Sequence, residues 1–239
     1  MPVIEEIKQA FSDVGGVTRS LSLAEDAAQK IREMILLERL SPGTALPERD
    51  LAEALGVSRT PMRDAIKLLA NDGLIQYTAS RRPFVADPSL EEVCDYLRVQ
   101  GALEALAGEL ACTYATDAQM LEIDMLNRKV IERADGDKVM SFNRDMDFHD
   151  AIVFASGNAA LMETHGRYNA RLWRARFMSS QRIVSRKSTR KEHASIVEAL
   201  LARDKLAVSE YLKQHLKTAE TNIAEAMCER ASIARAIDS

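Results

Sequence analysis

Between Pro47 and Val85 the chain reads PERDLAEALGVSRTPMRDAIKLLANDGLIQYTASRRPFV, and no other stretch restricts the fold as strongly. Leu51, Ala52 and Leu55 share one face of a first short helix, and Met62, Ile66, Leu69 and Ala70 repeat that stripe on a second. Gly56 can take the left-handed conformation that stops a helix, and Ser58 suits the N-cap of the next. A stop followed at once by a fresh start makes the two helices cross steeply. With its apolar stripe inward, the second helix turns Arg59, Thr60, Arg63 and Lys67 outward, residue types that grip phosphates and read groove edges. Two short apolar runs follow, Leu74 to Tyr77 and Pro83 to Val85, with Arg81 and Arg82 in the turn between them. The pattern predicts a winged helix-turn-helix. A lone arginine there would be an ordinary solvated helix face, but turn spacing, exposed arginines and arginine tip all point to double-stranded DNA.

Around this unit the punctuation sets the organisation. Residues 1–20 carry a short amphipathic segment (Val3, Ile4, Ile7, Phe11) and then Gly15-Gly16, which reads as an arm. From Leu23 to Leu37, the positions Ala24, Ala27, Ala28, Ile31, Met34 and Ile35 predict a helix packed behind the winged unit, ended by Ser41-Pro42-Gly43. Asp87-Pro88 is the expected linker, and Ser89 ahead of Glu91 and Glu92 starts a new helix. Beyond it strand signals nearly vanish. Helical patterns run from Leu90 to Thr113, Asp117 to Ala134, Asp137 to Ser156, Ala159 to Ile183, Arg186 to Ala202 and Lys205 to Met227. Short breaks between six such helices predict an antiparallel all-helical bundle. The expected fold class is mainly α, divided into an arm (1–20), a winged helix-turn-helix domain (21–88), a six-helix bundle (89–230) and a C-terminal tail (231–239).

Inside the bundle a second pattern carries chemistry. Asp145 and His149, four residues apart, leave one face of one helix. His193 and His215 lie on consecutive helices and are equally far from the turn at Asp204, so an antiparallel pair places them side by side. A single helical histidine is usually a packed or surface residue, but this chain has only 4 histidines and three fall at matched positions. Three neutral imidazoles and a carboxylate suit a divalent ion such as Zn, Ni or Mn, with positions open for water or ligand.

The segment PERDLAEALGVSRTPMRDAIKLLANDGLI resembles the DNA-binding domain of GntR-type bacterial transcription regulators. The resemblance implies that Arg49, Ser58, Arg59, Thr60 and Arg63 touch DNA and that Arg81 and Arg82 on the wing reach the adjacent minor groove. Where the family usually has a glycine before the Phe-Val of the wing, this chain has Pro83, which implies a stiffer tip. FNRDMDFHDAIVFASGNAAL, with the later HASIVEALLARD and YLKQHL, is similar to the FCD domain of the FadR-like branch. In metal-containing members an Asp-x-x-x-His pair and two later histidines hold the ion, and these carry over to Asp145, His149, His193 and His215. Six helices in place of seven imply the subgroup resembling the vanillate regulator. In the family an arginine four residues before a glutamate often holds a carboxylate ligand. Here the glutamate is Glu104 and that position is Gln100, with Arg98 out of register. Further candidates for the effector are Arg171 and Arg174 in the basic stretch around Trp173, and His165 as a pocket-lining residue.

The remaining composition excludes other classes. No apolar run approaches the roughly 18 residues needed to span a membrane, and no signal-peptide pattern is present, so a cytoplasmic location is expected. Cys94, Cys112 and Cys228 are odd in number and far apart, which argues for reduced thiols. A net charge of −4 does not oppose DNA binding, because phosphates feel the local arginine patch. Together these features predict a homodimeric regulator, a repressor and not an enzyme, that binds a palindromic operator and answers to a small organic acid held at the metal. Two rivals follow from the same residues: a metal-dependent hydrolase or lyase, and a constitutive DNA-binding protein with a structural metal.

Overall fold

The computed structural model describes residues 21–37, 39–131 and 138–237, so the expected arm at 1–20 and the expected break at Asp135-Gly136-Asp137 lie outside the described residues. The described elements run α1 (Leu21–Leu36), α2 (Glu48–Leu55), α3 (Arg59–Asn71), β1 (Ile75–Tyr77), β2 (Pro83–Val85), α4 (Leu90–Tyr114), α5 (Asp117–Ile131), α6 (Lys138–Ala155), α7 (Ala159–Ser180), α8 (Ile183–Leu201) and α9 (Lys205–Ile237).

The winged unit forms as its spacing predicts. Gly56 closes α2 in the left-handed conformation at φ 66° and ψ 31°, and α3 starts three residues later. Ser58 occupies the N-cap position, but its side chain makes no capping hydrogen bond. Met62, Ala65, Ile66 and Leu69 of α3 are buried against Ala27, Ala28, Ile31 and Ile35 of α1, with Leu74, Ile75 and Val85 closing the core. The wing strands are antiparallel, in a register that faces Ile75 with Val85 and Tyr77 with Pro83. One bridge adds Ala45 opposite Phe84, an extended contact that the apolar pattern did not announce.

Six described helices, α4 to α9, build the C-terminal bundle. Ser89 and Glu92 complete a reciprocal capping box at the start of α4, satisfying two backbone donors that the helix itself leaves open. α4 and α9 approach closely because Gly101 and Gly108 face α9, and a Cβ at Gly108 would collide with Val208 and Leu212. Arg203, itself in the left-handed region at φ 55°, pins the α8–α9 turn to the α4–α5 turn. It donates to Cys112 O at 3.2 Å, Ala115 O at 2.9 Å and Asp117 Oδ1 at 2.8 Å. The main departure from expectation is α9, which continues ten residues past Met227 to Ile237, so the assigned tail is helical through Ile237. Nothing between Met227 and Ile237 is a glycine or proline, so no residue there ends the helix.

The two units touch where Leu36 of α1 packs on an aromatic cluster of α6 and α7. Phe142 meets Trp173 and Phe177 edge-on, at centroid distances of 5.1 and 5.3 Å, and Leu36 of α1 shares that cluster.

Candidate metal centre and nucleic-acid interface

Five helices of the bundle converge on one buried polar cluster. α6 supplies His149, α8 His193 and α9 His215, all three buried and with ligand atoms within 4.8 Å of one another. The matched distances to Asp204 had predicted this meeting of α8 and α9: His193 Nε2 and His215 Nε2 are 3.4 Å apart. His215 Nε2 also lies 3.3 Å from His149 Nε2. The fourth expected member, Asp145, stands at the partly exposed rim, its Oδ1 3.8 Å from His193 Nε2.

Neighbouring carboxylates fix the tautomers. His149 Nδ1 is 2.7 Å from Glu104 Oε2, and His215 Nδ1 is 2.6 Å from Glu192 Oε2. A carboxylate only accepts, so each Nδ1 carries the hydrogen, which in the neutral imidazole leaves Nε2 as the lone pair. With both rings neutral, the His149 and His215 lone pairs face each other across 3.3 Å. Two nitrogens bound tetrahedrally at about 2.0–2.1 Å are themselves about 3.3 Å apart, so the donor set fits a small divalent cation.

The electrostatics agree. Burial lowers His149 and pushes His193 well below the usual imidazole range, reinforced at His193 by the adjoining His215 and His149. Burial alone would raise the Glu104 carboxyl, but His149, His165 and Arg176 outweigh it and hold it well below the ordinary range. Glu104 is thus a buried anion, met by Gln100 Nε2 at 3.4 Å, His165 Nε2 at 3.3 Å and Arg176 Nη1 at 3.5 Å. Outer partners of this kind orient metal-ligating imidazoles and raise their basicity. Beside the cluster is a cavity of about 50 Å³ whose lining includes Asp145, Arg176, Ser179, Glu192, His215 and Thr218.

The structure divides the other expected site residues. Gln100 and His165 are buried within reach of Glu104. Arg98 turns to solvent, paired with Asp95 at 2.9 Å and Glu220 at 3.0 Å, because it lies two residues from Gln100 and so on another helix face. Arg171 and Arg174 point to the winged unit instead of the cluster. The Arg171 guanidinium lies over the Tyr96 and Tyr168 rings, at 5.3 and 5.8 Å, and its stem packs on Gly73. Burial lowers Arg174, partly offset by Asp87. The arginine that does face the cluster is Arg176, which also donates to Asn169 Oδ1 at 3.0 Å. His165, Asn169, Leu172, Arg176 and Ser179 form the buried face of α7. Helical register from His165 could have found Arg176. Glu192 was missed too; its only sequence signal is adjacency to His193.

At the opposite end, Ser58, Arg59, Thr60 and Arg63 are all exposed on the start of α3. Arg63 Nε is 3.1 Å from Glu48 Oε2, and Arg49 Nε is 3.2 Å from Asp50 Oδ1, both pairs at the surface. The wing turn is closed by Arg81 N donating to Thr78 O at 2.8 Å, with Arg81 left-handed at φ 59°. Arg81 and Arg82 are exposed at its tip. Pro83, where a wing glycine was the family expectation, opens β2 and accepts from Leu46 N at 2.9 Å through its carbonyl. Among the described residues no helix is long and apolar enough to cross a membrane.

Comparison with known proteins agrees with both halves. Residues 23–85 match the family of bacterial regulatory proteins, gntR family, and residues 95–218 match the FCD domain. An HTH-type transcriptional regulator in an unstable DNA locus of Streptomyces ambofaciens is 32% identical over 197 residues, 80% of this chain and 81% of that protein. The HTH-type transcriptional repressor RspR of Escherichia coli K12 is 29% identical over 181 residues, 74% of this chain and 78% of that protein. The solved structure of E. coli McbR/YncC superimposes with a TM-score of 0.73 over 90% of this chain and 100% of that one, at 22% identity, a likeness of fold. The chain belongs to the GntR family of bacterial regulatory proteins, with an FCD domain as its helical half, and is a DNA-binding transcription regulator.

Proposed function

We propose that this regulator is a cytoplasmic, homodimeric repressor whose hold on a palindromic operator is set by a small carboxylate bound at a metal in the helical domain. The observation that carries the metal half is the approach of His149 Nε2 and His215 Nε2 to 3.3 Å, with His193 Nε2 3.4 Å from His215. His149, His193 and His215 hold the ion and Asp145 completes the set from the rim. Held by these residues, a Zn, Ni or Mn ion would supply Lewis acidity toward a carboxylate. Arg176 supplies a charge-assisted partner for the same anion from the cavity wall. At about 50 Å³ that cavity holds only the headgroup of an effector, so its body must lie toward the solvent side, past Asp145 and Thr218.

Dimer formation is supported by an uncovered apolar stripe. Val99, Leu103, Leu106, Leu110 and Tyr114 follow one another along α4, and Val99, Leu106 and Tyr114 are 39%, 43% and 68% exposed. On a monomer that surface is a liability, and a second copy removes it from water. The domain reading remains 21–88 for DNA and 89–230 for metal and effector, with six helices as in the vanillate-regulator-like subgroup. Signal passage is proposed through α6: Phe142 and Met146 pack with Leu36 of α1, whereas Asp145 and His149 lie on the side of the imidazole cluster that would hold the ion. α1 in turn backs α3, so a shift of α6 moves the reading helix. A ligand acts through this path only by differing in affinity for the two placements.

Repression is the sign we assign, in keeping with RspR, the transcriptional repressor of E. coli K12 to which the chain is similar. Selection of genomic fragments with the purified protein is expected to return an inverted repeat bound by two subunits. Recovery of no common sequence, or binding by a single subunit, contradicts the reading.

A further inference from the structure

Of the two arginines at the start of α3, Arg63 is held from outside its own helix. Its Nε donates to Glu48 Oε2 at 3.1 Å, a partner 15 residues earlier on α2. The neighbouring surface pairs, Arg49 with Asp50 and Lys67 with Asp64, join residues one and three positions apart and stay within one helix. Among these pairs only Arg63 with Glu48 crosses the turn.

Glu48 is the fixed member of that pair. It is the first residue of α2 and follows Pro47, whose carbonyl accepts from Asp50 N and Leu51 N at 3.1 Å. Leu46, 1% exposed, donates from its N to Pro83 O at 2.9 Å, which ties this corner to the base of the wing. The Glu48 side chain is 30% exposed and the Arg63 side chain 59%, so the carboxylate is anchored and the guanidinium follows it.

A guanidinium offers two donor edges, and a bond at Nε engages one of them while the terminal edge, Nη1 with Nη2, stays available as a fork. Among the described residues neither Nη of Arg63 has a hydrogen-bond partner. Such a fork meets guanine O6 and N7 in the major groove. An exposed ion pair contributes little to stability, so the consequence of this one is orientation. Ordering the arginine before contact also lowers the entropy lost on binding. The charge on Glu48 acts in the opposite sense, against approach to the phosphates of any sequence.

We propose that Glu48 is a specificity-determining residue that positions the Arg63 guanidinium end-on to a guanine without itself touching DNA. It lowers affinity for all DNA and raises discrimination at one base pair of each half-site. The inference rests on the docking of α3 in the major groove.

The test is competitive selection of the full-length protein on a randomised duplex pool, followed by titration on random-sequence duplex. Arg63→Ala is expected to erase a guanine preference of about 5–150-fold at one position of each half-site. Glu48→Ala is expected to lower the preference at that same position by about threefold or more, with the other positions as in the wild type and random-sequence duplex bound no more weakly. Glu48→Gln, which keeps an acceptor for Nε without the charge, retains more of the preference than Glu48→Ala. An unchanged preference in Glu48→Ala, loss at every position, or equal loss in the alanine and glutamine variants overturns the positioning role and leaves the docking of α3 in place. An unchanged motif in Arg63→Ala overturns the docking and the proposal together. Should Glu48→Ala unfold, Glu48→Asp decides, because it keeps the charge at the helix start but sets the carboxylate back by one methylene. A reduced guanine preference in that variant supports the proposal, and a wild-type preference overturns it.

Discussion

Alanine at both Arg59 and Arg63 is expected to lower operator affinity by roughly 30-fold or more, because each arginine that reads a base edge contributes about 1–3 kcal/mol. The two side chains are four residues apart on the exposed side of α3, whereas Met62, Ile66 and Leu69 bury the other side. Their removal leaves the core intact. The one ion pair broken, Arg63 to Glu48, is at the surface, with 59% of the Arg63 side chain exposed. Exposed pairs contribute little to stability, so the melting temperature is expected to hold. Fluorescence anisotropy at one fixed salt concentration measures the loss, since phosphate contacts make affinity salt-dependent. Wild-type affinity in the double variant would contradict the proposed docking of α3.

The second large effect concerns the metal. After dialysis the wild type is expected to keep about one divalent ion per subunit, and His193→Ala or His215→Ala to keep less than about a tenth of that, read by elemental analysis. Glu104→Gln and Glu192→Gln are expected to retain the site but weaken it by about 10–100-fold, the effect usual for outer partners of ligating histidines. Unchanged metal content in either histidine variant contradicts the assignment. The metal-free protein carries a pH signature of the same arrangement. Burial depresses His149 and His193, so both are neutral when folded. Unfolded imidazoles take up protons below about pH 6.5, so the unfolded state then binds more protons and stability falls with pH. A lower melting temperature at pH 5.5 than at pH 7.5 is expected, and a flat profile contradicts neutral buried imidazoles.

Local signals in the sequence were enough for the winged unit, where Gly56 and the stripe from Met62 to Leu69 each lie within a few residues of what they control. The meeting of His193 and His215 was legible for a different reason: an antiparallel hairpin converts equal distance from Asp204 into adjacency. Arg176 was not, because its inward direction depends on register along α7. It lies eleven residues, three turns, from the buried His165, while Arg171 and Arg174 point to the winged unit. Clustering around Trp173 marks Arg171 and Arg174 but carries no information on which neighbour each faces. Glu192 acquires its role from His215 on another helix, so its adjacency to His193 is the one local mark it carries.

The proposed regulation is tested most directly by measuring operator affinity across a panel of small carboxylates at buffered free metal, on one protein sample before and after metal removal. At least one carboxylate is expected to lower affinity by about 5–150-fold, the range typical of coupling between sites, and to do so only in the metal-loaded state. The same response without metal, or none across the panel, would contradict control through the His149, His193 and His215 centre.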